Sequence, residues 1–125
     1  MPHVLVIEDN QYFAQVLCDI LEIKGCVTAY ASTAERGLEM TKELLPEIVF
    51  CDIEFHGGAS GLDFARSIRA DKDATGITLI AISGYMTDKD HQAALQAGFD
   101  LMLGKPVKFA DISRVLDNYA AAGRT

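Results

Sequence analysis

Short runs of apolar and β-branched residues alternate with helical patterns five times along this chain of 125 residues. A continuous apolar run is typical of a strand buried on both faces of a sheet. Parallel neighbouring strands need crossover connections, which the intervening helices supply. We therefore expect an α/β fold with a doubly wound, five-stranded parallel sheet in the order 2-1-3-4-5. The predicted strands span residues 4–7, 26–30, 48–51, 77–82 and 101–103.

Capping residues and apolar spacing predict a helix after each strand. Gly25 is expected to end the first helix, and Gly98 is expected to end the fourth. Ser32 with Glu35 predicts a capping box at the start of the second helix, and Thr87 with Asp90 predicts a similar start for the fourth. The pattern predicts a single domain over residues 1–120 and a frayed tail over residues 121–125. The apolar residues at helical spacing are Phe13, Val16, Leu17, Ile20 and Leu21, then Leu62, Ala65 and Ile68, then Phe109, Ile112, Leu116 and Tyr119.

Composition narrows the classes of partner. The formal net charge is -7, and the basic residues are scattered, so the chain lacks the basic patch typical of nucleic-acid binding. The first apolar run, residues 4–7, is far too short for a signal peptide or a membrane span. Three cysteines without CxxC spacing suit a reducing compartment. We expect a cytoplasmic protein with neither a nucleic-acid partner nor a membrane partner.

Four of the five predicted strands run into residues that can do chemistry. Glu8 and Asp9 follow the first strand, Asp52 follows the third, Ser83 ends the fourth, and Lys105 follows the fifth. In a parallel sheet these positions meet at one edge, beside the point where the strand order reverses. Three carboxylates together need a cation, and oxygen ligands without His or Cys favour Mg²⁺. The lysine and serine donors then suit a phosphoryl group, with Asp52 as a carboxylate nucleophile.

Each of these residues also has an ordinary structural interpretation. Asp9 is a possible N-cap of the first helix, Asp52 is a possible turn residue, and Lys105 alone is a surface charge. These roles do not explain why the residues stand together at successive strand ends. We therefore favour a functional site.

The segments VLVIEDN, IVFCDIEF, LIAISGY and GFDLMLGKPV, in this order and at this spacing, resemble the receiver domain of two-component response regulators. The resemblance covers almost the whole chain and implies the flavodoxin-like receiver fold. It implies that Asp52 accepts a phosphoryl group from a phosphohistidine on a sensor histidine kinase or a histidine phosphotransfer protein. It also implies that Mg²⁺ is bound by Asp9, Asp52 and the backbone carbonyl of Glu54, with Glu8 acting through water.

The same resemblance implies roles for the remaining site residues. Lys105 would pair with the phosphoryl group, Ser83 would move to hydrogen-bond it, and the Lys105–Pro106 peptide bond would be cis. Such a domain is a switch and not an enzyme in the usual sense, since it catalyses only its own phosphotransfer and slow autodephosphorylation. Phosphorylation would change the face formed by the fourth helix, the fifth strand and the fifth helix, and so control a downstream protein partner. The domain would act as a monomer or as a phosphorylation-linked homodimer.

Several positions depart from the family pattern. Met102 stands where the switch residue is usually Tyr or Phe. Phe55 and His56 replace the usual Met-Pro pair, and the loop that follows is one residue longer. Glu54 is unusually acidic, and its carboxylate is expected to repel a phosphodonor or to orient water. Tyr85 is expected either to gate the site or to shield it.

Three other functions compete with the phosphorylated switch. The first is a protein-interaction domain of the same fold that no longer uses phosphate, which Met102 and Glu54 would suit. A flavin carrier is disfavoured because the acidic Glu8 and Asp9 stand where a phosphate-cradling loop is needed. A small Mg²⁺-dependent phosphohydrolase would need a general acid near Asp52, for which Glu54 is the candidate.

Overall fold

The structure is a computed structural model that describes residues 2–55, 57–74, 76–84 and 87–121. His56 and Tyr85 lie outside the described residues, as do residues 122–125 of the expected tail. Strands and helices alternate strictly within the described part. The elements are β1 (His3–Ile7), α1 (Gln11–Ile23), β2 (Val27–Ala31), α2 (Ala34–Leu44), β3 (Ile48–Asp52), α3 (Gly61–Ala70), β4 (Thr78–Ser83), α4 (Asp88–Ala97), β5 (Leu101–Gly104) and α5 (Phe109–Ala121).

The five strands form one parallel sheet in the order β2-β1-β3-β4-β5, which confirms the predicted topology. β3 lies at the centre, and all five of its residues are buried. Val4 of β1 pairs with Thr28 on one side and with Ile48 on the other. Asp52 at the end of β3 pairs with Ile82 of β4. This register brings the ends of β1, β3 and β4 to the same edge of the sheet.

Alternate residues of each strand face two separate apolar layers. One layer packs against α2, α3 and α4, and the other packs against α1 and α5. The first contains Leu5, Ile7, Val49, Cys51, Leu79, Ala81 and Met102 from the strands, with Phe64, Ile68, Ala94 and Ala97 from the helices. The second contains Val4, Val6, Ile48, Phe50, Ile80, Ile82 and Leu103 from the strands, with Leu17, Leu21, Ile112 and Val115 from the helices. Because both faces are covered, the central strands β1, β3 and β4 are apolar over most of their length, whereas the edge strand β2 is largely half-buried.

The second strand begins one residue later than predicted because Cys26 belongs to the end of α1. Gly25 adopts a positive φ of 94°, and its amide donates to Glu22 O at 3.0 Å. The amide of Cys26 donates to Leu21 O, also at 3.0 Å. These two bonds form a Schellman motif, in which glycine satisfies the last helical carbonyls at little steric cost.

The predicted capping box between Ser32 and Glu35 is wrong. Thr33 caps α2, and its side chain accepts a hydrogen bond from Arg36 N at 3.0 Å. The Glu35 carboxylate accepts instead from the amide of Ala59, at 3.2 Å, in the loop before α3. The helix therefore starts one residue later than predicted, and the Glu35 side chain connects the first turn of α2 to the loop before α3.

The side chain of Arg69 in α3 joins three parts of the fold. Its guanidinium donates to Gly98 O at the end of α4 and to Ile77 O before β4, each at 2.8 Å. It also donates to Asp100 Oδ2 at 2.9 Å, and the same oxygen accepts from Leu79 N at 2.8 Å. The C-terminal end of α4 is therefore fixed to α3 and to the start of β4.

The helices of this fold are short. The longest, α1 and α5, have 13 residues each. Among the described residues, no helix has both the length and the apolar character needed to cross a membrane.

Candidate functional site

The residues expected to do chemistry lie together at the carboxyl edge of the sheet. Glu8 and Asp9 follow β1, and Asp52 is the last residue of β3. Ser83 is the last residue of β4, and Lys105 follows β5. β1 and β3 are neighbours in the sheet although α1, β2 and α2 separate them along the chain. This is the switch point of a doubly wound sheet, where ligands typically bind.

Lys105 bridges two of the carboxylates. Its Nζ lies 2.7 Å from Asp52 Oδ2 and 2.8 Å from Glu8 Oε1. Asp52 is 1% exposed and Glu8 is 0% exposed, so both are removed from water and need a cationic partner. The backbone amide of Lys105 donates to Ser83 O at 2.9 Å, and the Lys105–Pro106 peptide bond is cis. The two carboxylate contacts hold the ammonium group at the centre of the site.

Asp9 completes an acidic cluster. Carboxylate oxygens of Glu8, Asp9 and Asp52 lie within 4.8 Å of one another. Such a set of hard oxygen atoms fits Mg²⁺, which takes one or two protein carboxylates and retains several waters. The amide of Glu54 donates to Asp52 Oδ1 at 3.2 Å, which keeps the Glu54 backbone beside this cluster. The metal-binding role of the Glu54 carbonyl remains a prediction.

The alternative interpretation of Asp9 as a helix cap is wrong. Asn10 caps α1, and its side-chain oxygen accepts from Phe13 N at 3.0 Å. The amide of Asn10 lies 3.4 Å from Glu8 Oε2. Since Asn10 provides the cap, Asp9 is not needed for it.

Burial and neighbouring charges shift the pKa values of two groups in the site. Desolvation raises the pKa of Glu8 from 4.5 to about 7, and the hydrogen bond and charge of Asp52 add to this shift. The hydrogen bond from Lys105 acts in the opposite direction. Burial lowers the pKa of Lys105, but its hydrogen bonds and charge interactions with Asp52 and Glu8 outweigh that effect and leave the pKa raised. The raised pKa of Lys105 keeps its ammonium charged at neutral pH, and the raised pKa of Glu8 favours the protonated form of that carboxyl group.

Ser83 lies at the expected strand end but bonds to a side chain that the sequence did not identify as its partner. Its hydroxyl is 2.9 Å from Glu54 Oε2 and 3.1 Å from Glu54 Oε1. Ser83 is 0% exposed, whereas Glu54 is exposed. The carboxylate thus reaches inward from the surface to a buried hydroxyl.

Met102 is 4% exposed and packs in the apolar layer beneath α2, α3 and α4. Its position in β5 is as predicted, and the thioether is a flexible filler for such a layer. Its role in switching remains a prediction.

Sequence reasoning missed Gly61, the first residue of α3. A Cβ atom at this position would lie 2.1 Å from the carbonyl oxygen of Asp52. The amide of Gly61 donates to Ile53 O at 3.0 Å. Glycine is needed here because the start of α3 presses directly against the backbone that carries Asp52. The preceding Ser60, which forms a capping box with Asp63, is the sequence signal that marks this position.

The arrangement offers two buried carboxylates, Glu8 and Asp52, with a charged ammonium between them, and together with Asp9 they form a cluster suited to a divalent cation. A nucleophilic oxygen, a cation and hydrogen-bond donors at one edge are the groups that phosphoryl transfer requires.

Comparison with known proteins gives the same class of domain. The sequence pattern of the response regulator receiver domain family matches residues 4–117. The polar-differentiation response regulator DivK of Brucella ovis is 22% identical over 116 residues, which cover 93% of this chain and 94% of that protein. A response regulator receiver domain protein from Clostridium thermocellum is 26% identical with a TM-score of 0.88, covering 99% and 98% of the two chains. The chemotaxis protein CheY4 of Vibrio cholerae shares the fold, with a TM-score of 0.88 at 16% identity and coverage of 94% and 98%.

Proposed function

This chain belongs to the response regulator receiver domain family, and on that premise we propose that Asp52 accepts a phosphoryl group from a phosphohistidine. The donor is a sensor histidine kinase or a histidine phosphotransfer protein. The observation that carries the proposal is the contact of Lys105 Nζ with Asp52 Oδ2 at 2.7 Å, beside the Glu8 and Asp9 carboxylates. A buried aspartate with both a cation and further metal-suited oxygens is poised for phosphoryl chemistry.

In the proposed step, a carboxylate oxygen of Asp52 attacks the phosphorus atom. The new O–P bond forms as the P–N bond to the donor imidazole breaks, and the bonding electron pair stays on the imidazole nitrogen. The Lys105 ammonium stabilises negative charge on the transferred group, and the Ser83 hydroxyl donates a hydrogen bond to it. Loss of the phosphoryl group to water reverses the switch.

Mg²⁺ fits the cluster and would be bound by Asp9, Asp52 and the backbone carbonyl of Glu54, with Glu8 acting through water. When bound, it supplies positive charge that screens the phosphoryl oxygens from the carboxylates. Lys105 alone neutralises only part of that charge, because the cluster contains three carboxyl groups. We therefore expect phosphorylation to depend on Mg²⁺.

The effect of phosphorylation on the surface of the domain follows from the added negative charge. A phosphoryl group adds negative charge at the end of β3 and draws Ser83 of β4 towards it. Ser83 pairs with Gly104 of β5, so a shift at β4 passes to β5, where Met102 lies in the buried layer. The affected surface comprises α4, β5 and α5, and we propose that it binds a downstream protein in the cytoplasm. The domain acts as a monomer or as a phosphorylation-linked homodimer.

The test is the intact mass of the protein after incubation with acetyl phosphate, with and without Mg²⁺. We expect one phosphate adduct that requires Mg²⁺, is labile in base and is absent from Asp52→Asn. Asp117→Asn makes the same change at an exposed position of α5 and should leave the adduct intact. If wild type forms no adduct with acetyl phosphate or with a phosphorylated histidine kinase, the phosphate-independent interaction domain replaces this proposal.

A further inference from the structure

The contact between Glu54 and Ser83 is the feature of the site that the proposed phosphotransfer does not use. Both carboxylate oxygens of Glu54 lie within hydrogen-bond distance of the Ser83 hydroxyl, at 2.9 Å and 3.1 Å. The same hydroxyl is the one that the phosphoryl group on Asp52 would need. The Ser83 hydroxyl is therefore already hydrogen-bonded to Glu54 in the unphosphorylated protein.

The strand register explains why the two side chains meet. Asp52 pairs with Ile82, and the amide of Ile53 donates to Ile82 O at 3.0 Å, so β3 and β4 stay paired just beyond Asp52. Glu54 and Ser83 each follow this last pairing. The bond from Glu54 N to Asp52 Oδ1, at 3.2 Å, fixes the backbone of Glu54 in place. These bonds thus place the backbone of Glu54 where its side chain can reach Ser83.

The Glu54 carboxylate and a phosphoryl group on Asp52 compete for the same hydrogen bond from Ser83. A serine hydroxyl has a single proton to donate, so it cannot serve the Glu54 carboxylate and a phosphoryl oxygen at full strength together. Both acceptors are anions, and charge-assisted hydrogen bonds of this kind are stronger than neutral ones. The two anions also repel each other when both approach the same hydroxyl.

We propose that the Glu54 carboxylate is an internal competitor that holds the Ser83 hydroxyl until a phosphoryl group displaces it. The inference rests on the proposed function, since it concerns how Ser83 becomes available to the group on Asp52. Glu54 acts here as a positioning residue through Ser83 and takes no part in the transfer itself. The hydrogen bond between Glu54 and Ser83 must break first, which slows phosphorylation and weakens binding of any phosphoryl-like anion.

The first measurement is the rate of phosphorylation by acetyl phosphate with Mg²⁺, followed by intact mass. Glu54→Ala releases the hydroxyl and keeps the backbone carbonyl, so we expect a rate increase of about five- to tenfold, which corresponds to the net free energy of one typical hydrogen bond. Glu43→Ala removes the same charge from an exposed position of α2 and should leave the rate unchanged. Equal rates in wild type and Glu54→Ala would overturn the proposal.

A double-mutant cycle distinguishes competition for the Ser83 hydroxyl from electrostatic repulsion of the phosphodonor by the Glu54 charge. If Glu54 acts through the hydroxyl, Glu54→Ala gives no gain in a Ser83→Ala background. If Glu54 only repels the phosphodonor, Glu54→Ala raises the phosphorylation rate equally with and without the Ser83 hydroxyl, and the proposal is wrong. Should Ser83→Ala fail to fold by circular dichroism, Ser83→Cys takes its place, because a thiol is a weak donor.

A second readout avoids the transfer reaction. Beryllium fluoride with Mg²⁺ is a phosphoryl-like ligand for a carboxylate, and its affinity is measurable by titration calorimetry. We expect Glu54→Ala to bind it several-fold more tightly than wild type, and Glu54→Gln, which keeps an oxygen acceptor for Ser83, to show a smaller gain. If wild type and every variant neither bind this ligand nor form an adduct, the proposed function itself has failed. If all bind and react equally, only the competition has failed.

Discussion

Lys105 Nζ lies 2.8 Å from Glu8 Oε1, although 97 residues separate the two along the chain. Glu8 is completely buried, and a buried carboxylate is stable only when a cation or a proton neutralises it. The contact therefore links the chemistry of the site to the stability of the fold. The first two predictions follow from this link.

Replacing Lys105 by Met keeps an unbranched side chain but removes the charge that Glu8 and Asp52 share. We expect the free energy of unfolding of the metal-free protein to fall by about 1–2 kcal/mol at neutral pH, allowing for the partial exposure of the lysine. Urea unfolding followed by circular dichroism, in the presence of a chelator, measures this. Lys108→Met removes the same charge from an exposed position and should have little effect. Equal losses in the two variants would mean that the buried bridge adds no stability.

The raised pKa of Glu8, about 7 instead of 4.5, makes the metal-free protein less stable as pH rises. The folded state retains a proton on Glu8 that the unfolded state releases, so the stabilising contribution is complete below the unfolded pKa. It is lost as pH rises through about 7. Between about pH 5 and about pH 8 we expect a loss on the order of 2 kcal/mol from this group.

The measurement is the free energy of unfolding in urea at both pH values, for wild type and for Glu8→Gln. The glutamine variant does not titrate at this position, so its loss between the two pH values should be smaller. The prediction fails if the two proteins show the same difference.

Millimolar Mg²⁺ is expected to raise the thermal midpoint of wild type by a few degrees, because the ion binds the folded carboxylate cluster and not the unfolded chain. Asp9→Asn should remove most of this shift. Asp117→Asn, an exposed change of the same kind, should keep it. Differential scanning calorimetry with and without Mg²⁺ provides the comparison, and an undiminished shift in Asp9→Asn would remove Asp9 from the binding site.

Gly61→Ala is expected to destabilise the protein by about 1–3 kcal/mol, as overpacking of a close contact does. The added methyl group would meet the Asp52 carbonyl oxygen at 2.1 Å, so the backbone must shift. Gly57→Ala is the matched control, because its added Cβ would meet nothing within 4 Å. Urea unfolding should separate the two variants, and phosphorylation of Gly61→Ala should slow as Asp52 moves. Equal stability would show that the start of α3 adapts freely.

The topology was predictable because the strands of a parallel sheet are buried on both faces. The apolar run before Glu8 and the one before Asp52 identify strands whose ends meet, and the positions of Ser83 and Lys105 follow from the same rule. Boundaries were less predictable, since Ser32 and Thr33 are chemically similar caps and only the geometry selects Thr33. Where two adjacent polar residues can each cap a helix, the spacing of the sequence does not show which of them does so.

The residues that form the site were easier to predict than the contacts between them. The bond between Glu54 and Ser83 depends on the register of β3 against β4 and on one side-chain rotamer. Likewise, the closeness of Gly61 to Asp52 depends on how α3 approaches the sheet. Both contacts depend on how separate elements pack against one another, which the residue types and their spacing do not specify.

The bonds of Arg69 to Gly98, Ile77 and Asp100 have a consequence for how α4 can respond to the site. Its C-terminal end is fastened through Gly98 to α3, whereas Thr87 caps its N-terminal end near the carboxyl edge of the sheet. A helix held at one end swings about that end and does not slide along its axis. Under the proposed function, we expect displacement of α4 on phosphorylation to be largest in its first turn and smallest at Gly98, which makes the first turn the part of the helix best suited to report the change to a partner.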